Sequence, residues 1–190
     1  MSNPFIPRAQ VHAWSEAIGD DATKHQAALT RLLKDQRRLT RFIEENAENL
    51  EGVTGGVSVY LTGVIIRMFD LAGGRLRSAT WEQIRQAEAK VNAAVPALLP
   101  LDDDFVSRAH TGDRAQAHIL DEALMALFDR ESDSEDEANL EPIEALKTYL
   151  MLWVVTEVLD SNWKPASSFQ GDGAYEYVHI EPTKREKAEA

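Results

Sequence analysis

Residues 57–72 read VSVYLTGVIIRMFDLA, and this stretch, the longest apolar run of the chain, decides the fold class. As a helix it is apolar almost all round, which is typical of a helix buried on most sides. Arg67 and Asp70 interrupt it, and its 16 residues would rise only about 24 Å, short of a hydrocarbon layer of about 30 Å. The stretch therefore predicts a core helix rather than a membrane span.

A β-strand is the alternative for the first four residues of this stretch, residues 57–60 (VSVY), because valine and tyrosine suit strands. We favour the helix, since Gly73 and Gly74 follow the stretch and provide a C-terminal cap. A second apolar run, residues 149–155, lies in a segment that begins with Pro142, which suits a first helical turn. We expect these two apolar helices at the centre of a bundle.

Start and stop signals mark further helices along the rest of the chain. Pro7 favours a first helix that ends near Gly19, because proline suits the first helical position. Residues 80–83 (TWEQ) match a capping box and predict a helix start. Pro96 should kink or end that helix, because proline removes an intrahelical hydrogen bond.

These signals predict an all-α, single-domain bundle of six or seven helices over residues 1–163. Residues 164–190 contain proline, serine and glycine, followed by a run rich in lysine, glutamate and alanine. We expect them to form a short irregular C-terminal tail, extended and partly disordered, with one short strand allowed at residues 175–180.

Residues 22–50 are predicted to form one long helix with a heptad seam. The seam positions, spaced alternately three and four residues apart, are Leu29, Leu32, Gln36, Leu39, Ile43, Asn46 and Leu50. Such a seam more often packs inside its own molecule. It also permits a homo-oligomer assembled through Leu29–Leu50, in which Gln36 and Asn46 would fix the register.

Composition excludes several function classes. The 190-residue chain has a formal net charge of −12 and no cysteine. The lack of cysteine excludes disulfides, thiolate nucleophiles, iron–sulfur clusters and cysteine-based zinc sites. The negative charge argues against nucleic-acid binding by the whole domain. No basic start followed by an apolar core is readable near Met1, so we expect a cytoplasmic protein without a membrane partner.

Two acidic patterns raise the question of a magnesium-dependent phosphohydrolase. Glu44 and Glu48 share one helix, and Glu157 and Asp160 share another, so four carboxylates from two helices would hold the metal. This alternative requires the two helices to be neighbours with their carboxylates converging within a few ångströms. The simpler interpretation is that these acids belong to solvated helix faces.

Histidine gives little support for a metal centre. His12 with Glu16, and His118 with Glu122, are each spaced so that both side chains share a helix face. Each pair supplies only two ligands, whereas a structural or catalytic site needs three or four. We therefore predict no metal and no cofactor.

Charge is divided along the chain. Between Lys24 and Arg41 there are six bases and one acid, whereas residues 129–144 contain eight acids and one base. Surfaces of opposite sign steer association with charged partners. The same division would arise if the basic helix simply faced the acidic region within one molecule. The basic stretch lacks interleaved aromatic residues, which argues against single-stranded nucleic acid as its ligand.

The sequence thus predicts a non-enzymatic interaction module of the adaptor, chaperone or immunity type, with an acidic face that binds a basic protein partner. This is an inference of class, since composition does not identify a partner. The residues predicted to contact the partner are Glu131, Asp133, Glu135, Asp136 and Glu137.

Overall fold

The computed structural model describes residues 3–128 and 140–180, and within them the chain forms eight α-helices and two very short strands. The helices are α1 (Arg8–Asp20), α2 (Ala22–Asp35), α3 (Arg37–Ala47), α4 (Thr54–Ala72), α5 (Trp81–Leu98), α6 (Phe105–His110), α7 (Ala117–Phe128) and α8 (Pro142–Asn162). The strands β1 (Arg75–Leu76) and β2 (Trp163–Lys164) pair antiparallel. The predicted all-α bundle is confirmed, with eight helices in the described residues where six or seven were predicted.

Helix α8 is the centre of the bundle, as its apolar sequence predicts. It packs against α4, α5 and α7, and two thirds of its residues are buried. Tyr149, Leu152 and Val155 are fully shielded from solvent, and Trp153 is almost so. Because α8 is covered on nearly every side, its few polar side chains must find partners inside the protein.

Helix α4 includes residues 57–60, so the helical interpretation of this stretch is confirmed. Gly73 follows it with a φ of 75°, a left-handed conformation that favours glycine. In the described part of the chain, α4 is the one helix long and apolar enough to cross a membrane. Ile66, Met68 and Phe69 of this helix are buried in the protein core.

The prediction of one continuous helix over residues 22–50 is wrong. The chain breaks between α2 and α3 at Gln36, whose φ and ψ of −104° and 41° are not helical. The buried amide of Gln36 donates to the carbonyl of Arg77 at 2.9 Å and accepts from the N–H of Ala79 at 3.0 Å. The break thus coincides with a contact to a distant segment of the chain. Local helix propensity does not predict such a contact.

The leucine seam of α2 and α3 contributes to the core of this chain. Leu32, Leu39 and Ile43 are buried within it, and Leu29 lies against Gly63 of α4. The homo-oligomer through Leu29–Leu50 stays a prediction, but these buried positions are already occupied by intramolecular packing.

Two helix-end predictions have clear outcomes in α5. The capping box is present: Thr80 Oγ1 accepts from the N–H of Gln83 at 3.2 Å, and Gln83 Oε1 accepts from the N–H of Thr80 at 2.9 Å. Pro96 lies in the last turn, because the helix continues to Leu98 before it ends.

The beginning of the C-terminal tail lies against the helices. β2 pairs with β1, and Phe5 exchanges backbone hydrogen bonds with Asp172. Residues 175–180 are irregular, so the strand allowed there is not formed, and residues 181–190 lie outside the described part.

We predict that Gln36→Leu destabilises the protein by about 2 kcal/mol, because it leaves the N–H of Ala79 and the carbonyl of Arg77 without their partner. Denaturant unfolding measures the change. Gln26→Leu, on the exposed face of α2, is the matched control and should stay within about 0.5 kcal/mol of the wild type. Equal stabilities for the two variants would contradict the role assigned to Gln36.

Candidate functional site

The residues predicted to contact a basic partner, Glu131, Asp133, Glu135, Asp136 and Glu137, lie outside the described residues. Two later acids of the same stretch are described. Glu141 is exposed, whereas Glu144 is buried and accepts from Lys147 Nζ at 2.5 Å and from the N–H of Glu51 at 2.8 Å. The hydrogen bond from Lys147 is the main reason that the pKa of Glu144 is lowered. Glu144 therefore has a structural role.

Glu157 and Asp160, two of the four predicted magnesium ligands, are engaged in structural contacts. Glu157 accepts from the N–H of Ala115 at 3.0 Å and from Trp153 Nε1 at 2.9 Å, and it also pairs with Lys90. Asp160 accepts from Gln116 Nε2 at 2.8 Å, and burial raises the pKa of its carboxyl. Both carboxylates hold the loop that precedes α7.

Glu44 and Glu48, the other two predicted ligands, are exposed near the end of α3. That end lies beside the start of α8, because the N–H of Glu51 donates to Glu144. Glu157 is 13 residues further along α8, which corresponds to about 20 Å of helix. The structure therefore does not bring the two carboxylate pairs together, and the described residues contain no group of three or more His, Asp or Glu that could hold a metal ion.

A buried ion pair joins Arg114, in the loop before α7, to Asp121 on α7. Arg114 Nη2 donates to Asp121 Oδ1 at 2.9 Å, and the side chains are 0% and 1% exposed. Arg114 Nη2 also donates to Tyr175 Oη at 3.1 Å, and the Tyr175 hydroxyl donates to Asp121 Oδ2 at 3.0 Å. The pair thereby fixes Tyr175, and with it the tail, onto the bundle.

Two histidines flank the carboxylate of Asp121. His110 Nδ1 lies 2.9 Å from Asp121 Oδ1 and donates to it, because an ionised carboxylate can only accept. His118 Nδ1 is 3.8 Å from Asp121 Oδ2, too far for a hydrogen bond, and has no other partner. Burial opposes ionisation of Asp121, but His110, His118 and Arg114 outweigh it and hold the pKa of Asp121 well below its usual range.

The histidine pairs expected from spacing have different outcomes. His12 Nε2 lies 3.5 Å from Glu16 Oε1, so these two side chains share a helix face as their spacing predicts. Glu122 does not pair with His118, because it accepts from Arg8 Nη1 at 2.6 Å and contacts His12. The spacing of residues within α7 does not predict that Glu122 binds Arg8 and His12 of α1.

We call the group of Arg114, Asp121, His110, His118, Tyr149 and Tyr175 the buried polar cluster. Arg114 Nη1 lies 3.4 Å from the hydroxyl of Tyr149, whose pKa is raised by burial. A perturbed carboxyl beside histidine is a feature of many active sites. Here the central charges are closed to solvent, so the arrangement supports a structural role in which it joins α6, α7, α8 and the tail.

An open cleft of about 400 Å³ lies at the surface, between the α2–α3 junction and β1 with the residues that follow it. Its lining includes Lys34, Arg37 and Arg38, with Asp35 as the one acid. Arg75, Arg77 and Lys164 are exposed on the adjoining strands and their continuation. We call the cleft lined by Lys34, Arg37 and Arg38 the basic cleft. Arg75, Arg77 and Lys164 lie beside it and do not line it, and their proximity to the basic stretch of the sequence was not predicted.

The cations in and beside the basic cleft differ from most other bases of the described residues. Nine bases make ion pairs at 4 Å or less: Arg8, Arg31, Arg41, Arg67, Arg85, Lys90, Arg108, Arg114 and Lys147. No salt bridge with any described residue is made by Lys34, Arg37, Arg38, Arg75, Arg77 or Lys164. Unpaired cations gathered in one cleft provide an anion-binding surface.

Comparison with known proteins adds no further assignment. No family model matches the chain, and neither a curated protein nor a solved structure shows significant similarity to it.

We predict that Asp121→Asn destabilises the protein by about 3–5 kcal/mol, because it leaves the buried guanidinium of Arg114 without its counter-charge. Urea unfolding measures the loss. Asp113→Asn, at a side chain that is 97% exposed, is the control and should change stability by less than about 0.5 kcal/mol. A small effect of Asp121→Asn would show that the ion pair does not hold the cluster.

The difference in stability between wild type and Asp121→Asn should depend on pH. Because folding lowers the pKa of Asp121, its stabilising contribution is complete above the unfolded value of about 3.9 and is lost as pH falls through the folded value. The difference should therefore be constant near neutrality and shrink steadily below about pH 4. A difference that is constant over the acidic range would contradict this linkage.

Proposed function

We propose that this protein is a non-enzymatic interaction module whose acidic segment, residues 129–144, binds a basic protein partner. The observation that carries the proposal is that most described bases already have an acidic partner and are not free to neutralise this segment. Nine of the sixteen described bases are paired with other acids, and six of the remaining seven line the basic cleft or lie beside it.

Glu144 is bonded within the fold, so it is removed from the set of acids proposed to contact a partner. Its carboxylate is buried and bonded to Lys147 and to the backbone of Glu51. The five acids predicted from the sequence, within residues 131–137, thus remain the best candidates for partner contact. The cytoplasmic location expected from the sequence also stays a prediction.

To test this proposal, all five predicted contact acids are neutralised together and capture of basic proteins from a lysate is compared with the wild type. The substitutions are Glu131→Gln, Asp133→Asn, Glu135→Gln, Asp136→Asn and Glu137→Gln. We expect the wild type to retain basic proteins near 0.1 M salt and to release them near 1 M, where the screening length falls to about 3 Å. The variant should retain at least about tenfold less, because charge complementarity is lost.

A control variant separates the segment from net charge. It neutralises five exposed acids elsewhere: Glu44, Glu48, Asp103, Asp113 and Glu176. We expect it to capture the same proteins as the wild type. Undiminished capture by the segment variant, or equal loss in both variants, would overturn the proposal.

A further inference from the structure

We infer that the basic cleft binds a phosphate group of a small molecule, either the free ion or a phosphate monoester. Its volume of about 400 Å³ lies in the range of small-molecule sites, which extends from about 300 to 1,000 Å³. The proposed function does not use this surface, so the two proposals can fail separately.

The charge of the basic cleft matches that of a phosphate group. Three of the residues that line it are bases: Lys34, Arg37 and Arg38. None of them makes a salt bridge with a described residue. Asp35 is the one acid of the lining, which leaves an excess of two positive charges. A phosphate monoester carries a charge of about −1.5 to −2 near pH 7, so one such group neutralises the lining.

Two of these bases lie where the helix backbone repels them. Arg37 and Arg38 are the first two residues of α3, whose first turn contains no acid. The N-terminus of a helix carries a partial positive charge, so cations are unfavourable there and anions are favourable. The arrangement lowers the stability of the free protein, and an anion bound at this helix end offsets the loss. Proteins retain such unfavourable arrangements mainly at functional sites.

The α2–α3 junction also presents backbone donors that have no acceptor. The first three N–H groups of α3 have no partner within the helix, and no described residue outside it accepts from them. Gln36 occupies the N-cap position without capping, because its side chain binds the backbone of Arg77 and Ala79 instead. The nearby carbonyl of Asp35 already accepts from Ser78 Oγ at 2.8 Å. Donors are therefore left over at the cleft, and the oxygens of a phosphate group can accept from them.

A compact phosphate suits these groups better than other anions. A guanidinium binds phosphate through two parallel hydrogen bonds, and lysine adds a point charge. Leu76 and Ala79 also line the cleft and provide an apolar contact for the rest of a monoester. None of the described residues that line the cleft is aromatic, whereas single-strand binders stack bases on aromatic rings. The net charge of −12 also opposes a polyanion that extends beyond the cleft.

Isothermal titration calorimetry of the full chain tests the site with inorganic phosphate and with glycerol 3-phosphate. Potassium chloride keeps the ionic strength constant at about 0.1 M, so that screening does not change during the titration. The cleft variant carries Arg37→Gln and Arg38→Gln. We expect both probes to bind the wild type and to bind the cleft variant at least about tenfold more weakly, because the variant lacks both guanidinium groups.

Helix α2 offers a matched pair of single substitutions. Lys34→Gln removes a base from the basic cleft, whereas Lys24→Gln removes an exposed base of the same helix that does not line the cleft. We expect the first substitution to weaken binding about threefold and the second to leave it unchanged. Equal affinities for the wild type, Lys34→Gln and the cleft variant would overturn the inference. Circular dichroism confirms that each variant is folded.

Thermal unfolding separates a binding role of the two arginines from a structural one. Without phosphate the cleft variant should be at least as stable as the wild type, because two cations are removed from a helix N-terminus. Millimolar phosphate should then raise the unfolding midpoint of the wild type but not that of the cleft variant, since only the folded wild type binds it. Equal shifts in both proteins would overturn the inference. A cleft variant that is markedly less stable without phosphate would also overturn it, because the two arginines would then have a structural role.

Further probes distinguish the source of the phosphate group from other anions. Tighter binding of glycerol 3-phosphate than of inorganic phosphate would assign the cleft to a monoester, and equal or weaker binding would assign it to the free ion. Succinate, a dicarboxylate of similar charge, should bind at least about tenfold more weakly, and binding as tight as that of phosphate would overturn the inference. If a single-stranded oligonucleotide binds the wild type but not the cleft variant, and neither phosphate probe binds, the cleft is a nucleic-acid site and the inference is overturned.

A last comparison tests whether acids of the same chain are the ligand of the basic cleft. The variant in which all five predicted contact acids are neutralised should bind phosphate with the affinity of the wild type. Phosphate binding by that variant alone would overturn the inference, because it would make carboxylates of this chain the ligand of the cleft.

Discussion

The ion pair between Arg114 and Asp121 is the interaction on which the arrangement of the second half of the chain depends. Both charges are closed to water, and removal from water is expensive unless every charge is paired and hydrogen-bonded. His110 and Tyr175 supply those hydrogen bonds from α6 and from the tail. The pair therefore fixes α6, α7 and Tyr175 of the tail relative to one another, although it adds no local propensity to any of them.

This requirement also explains why the carboxylates of α8 are not free for chemistry. The loop that carries Arg114 continues into Ala115 and Gln116, whose polar groups point into a covered region. Glu157 and Asp160 accept hydrogen bonds from those groups. Their spacing on one face of α8 is therefore explained by the loop that packs against that face. Spacing along one helix predicts which side chains share a face, but it does not predict what packs against that face.

Local signals predicted the parts of the fold that local physics determines. The helix over residues 57–72, the capping box at Thr80 and the central position of α8 follow from periodicity, capping and burial. The break at Gln36 follows from a backbone contact 41 residues away, and so it had no local signal. The buried polar cluster left one trace in the sequence: Asp121 stands among the apolar residues of α7, where a charge requires a buried partner.

The bases of the described residues fall into two groups, and burial accounts for the difference. Arg8 and Arg114 are almost fully buried, and they pair with Glu122 and Asp121, because a charge removed from water requires a partner. Lys34, Arg37 and Arg38 are exposed at the α2–α3 junction, where solvent stabilises a charge without a partner. The fold therefore determines the partners of its buried bases, whereas the bases at the α2–α3 junction make no salt bridge with any described residue.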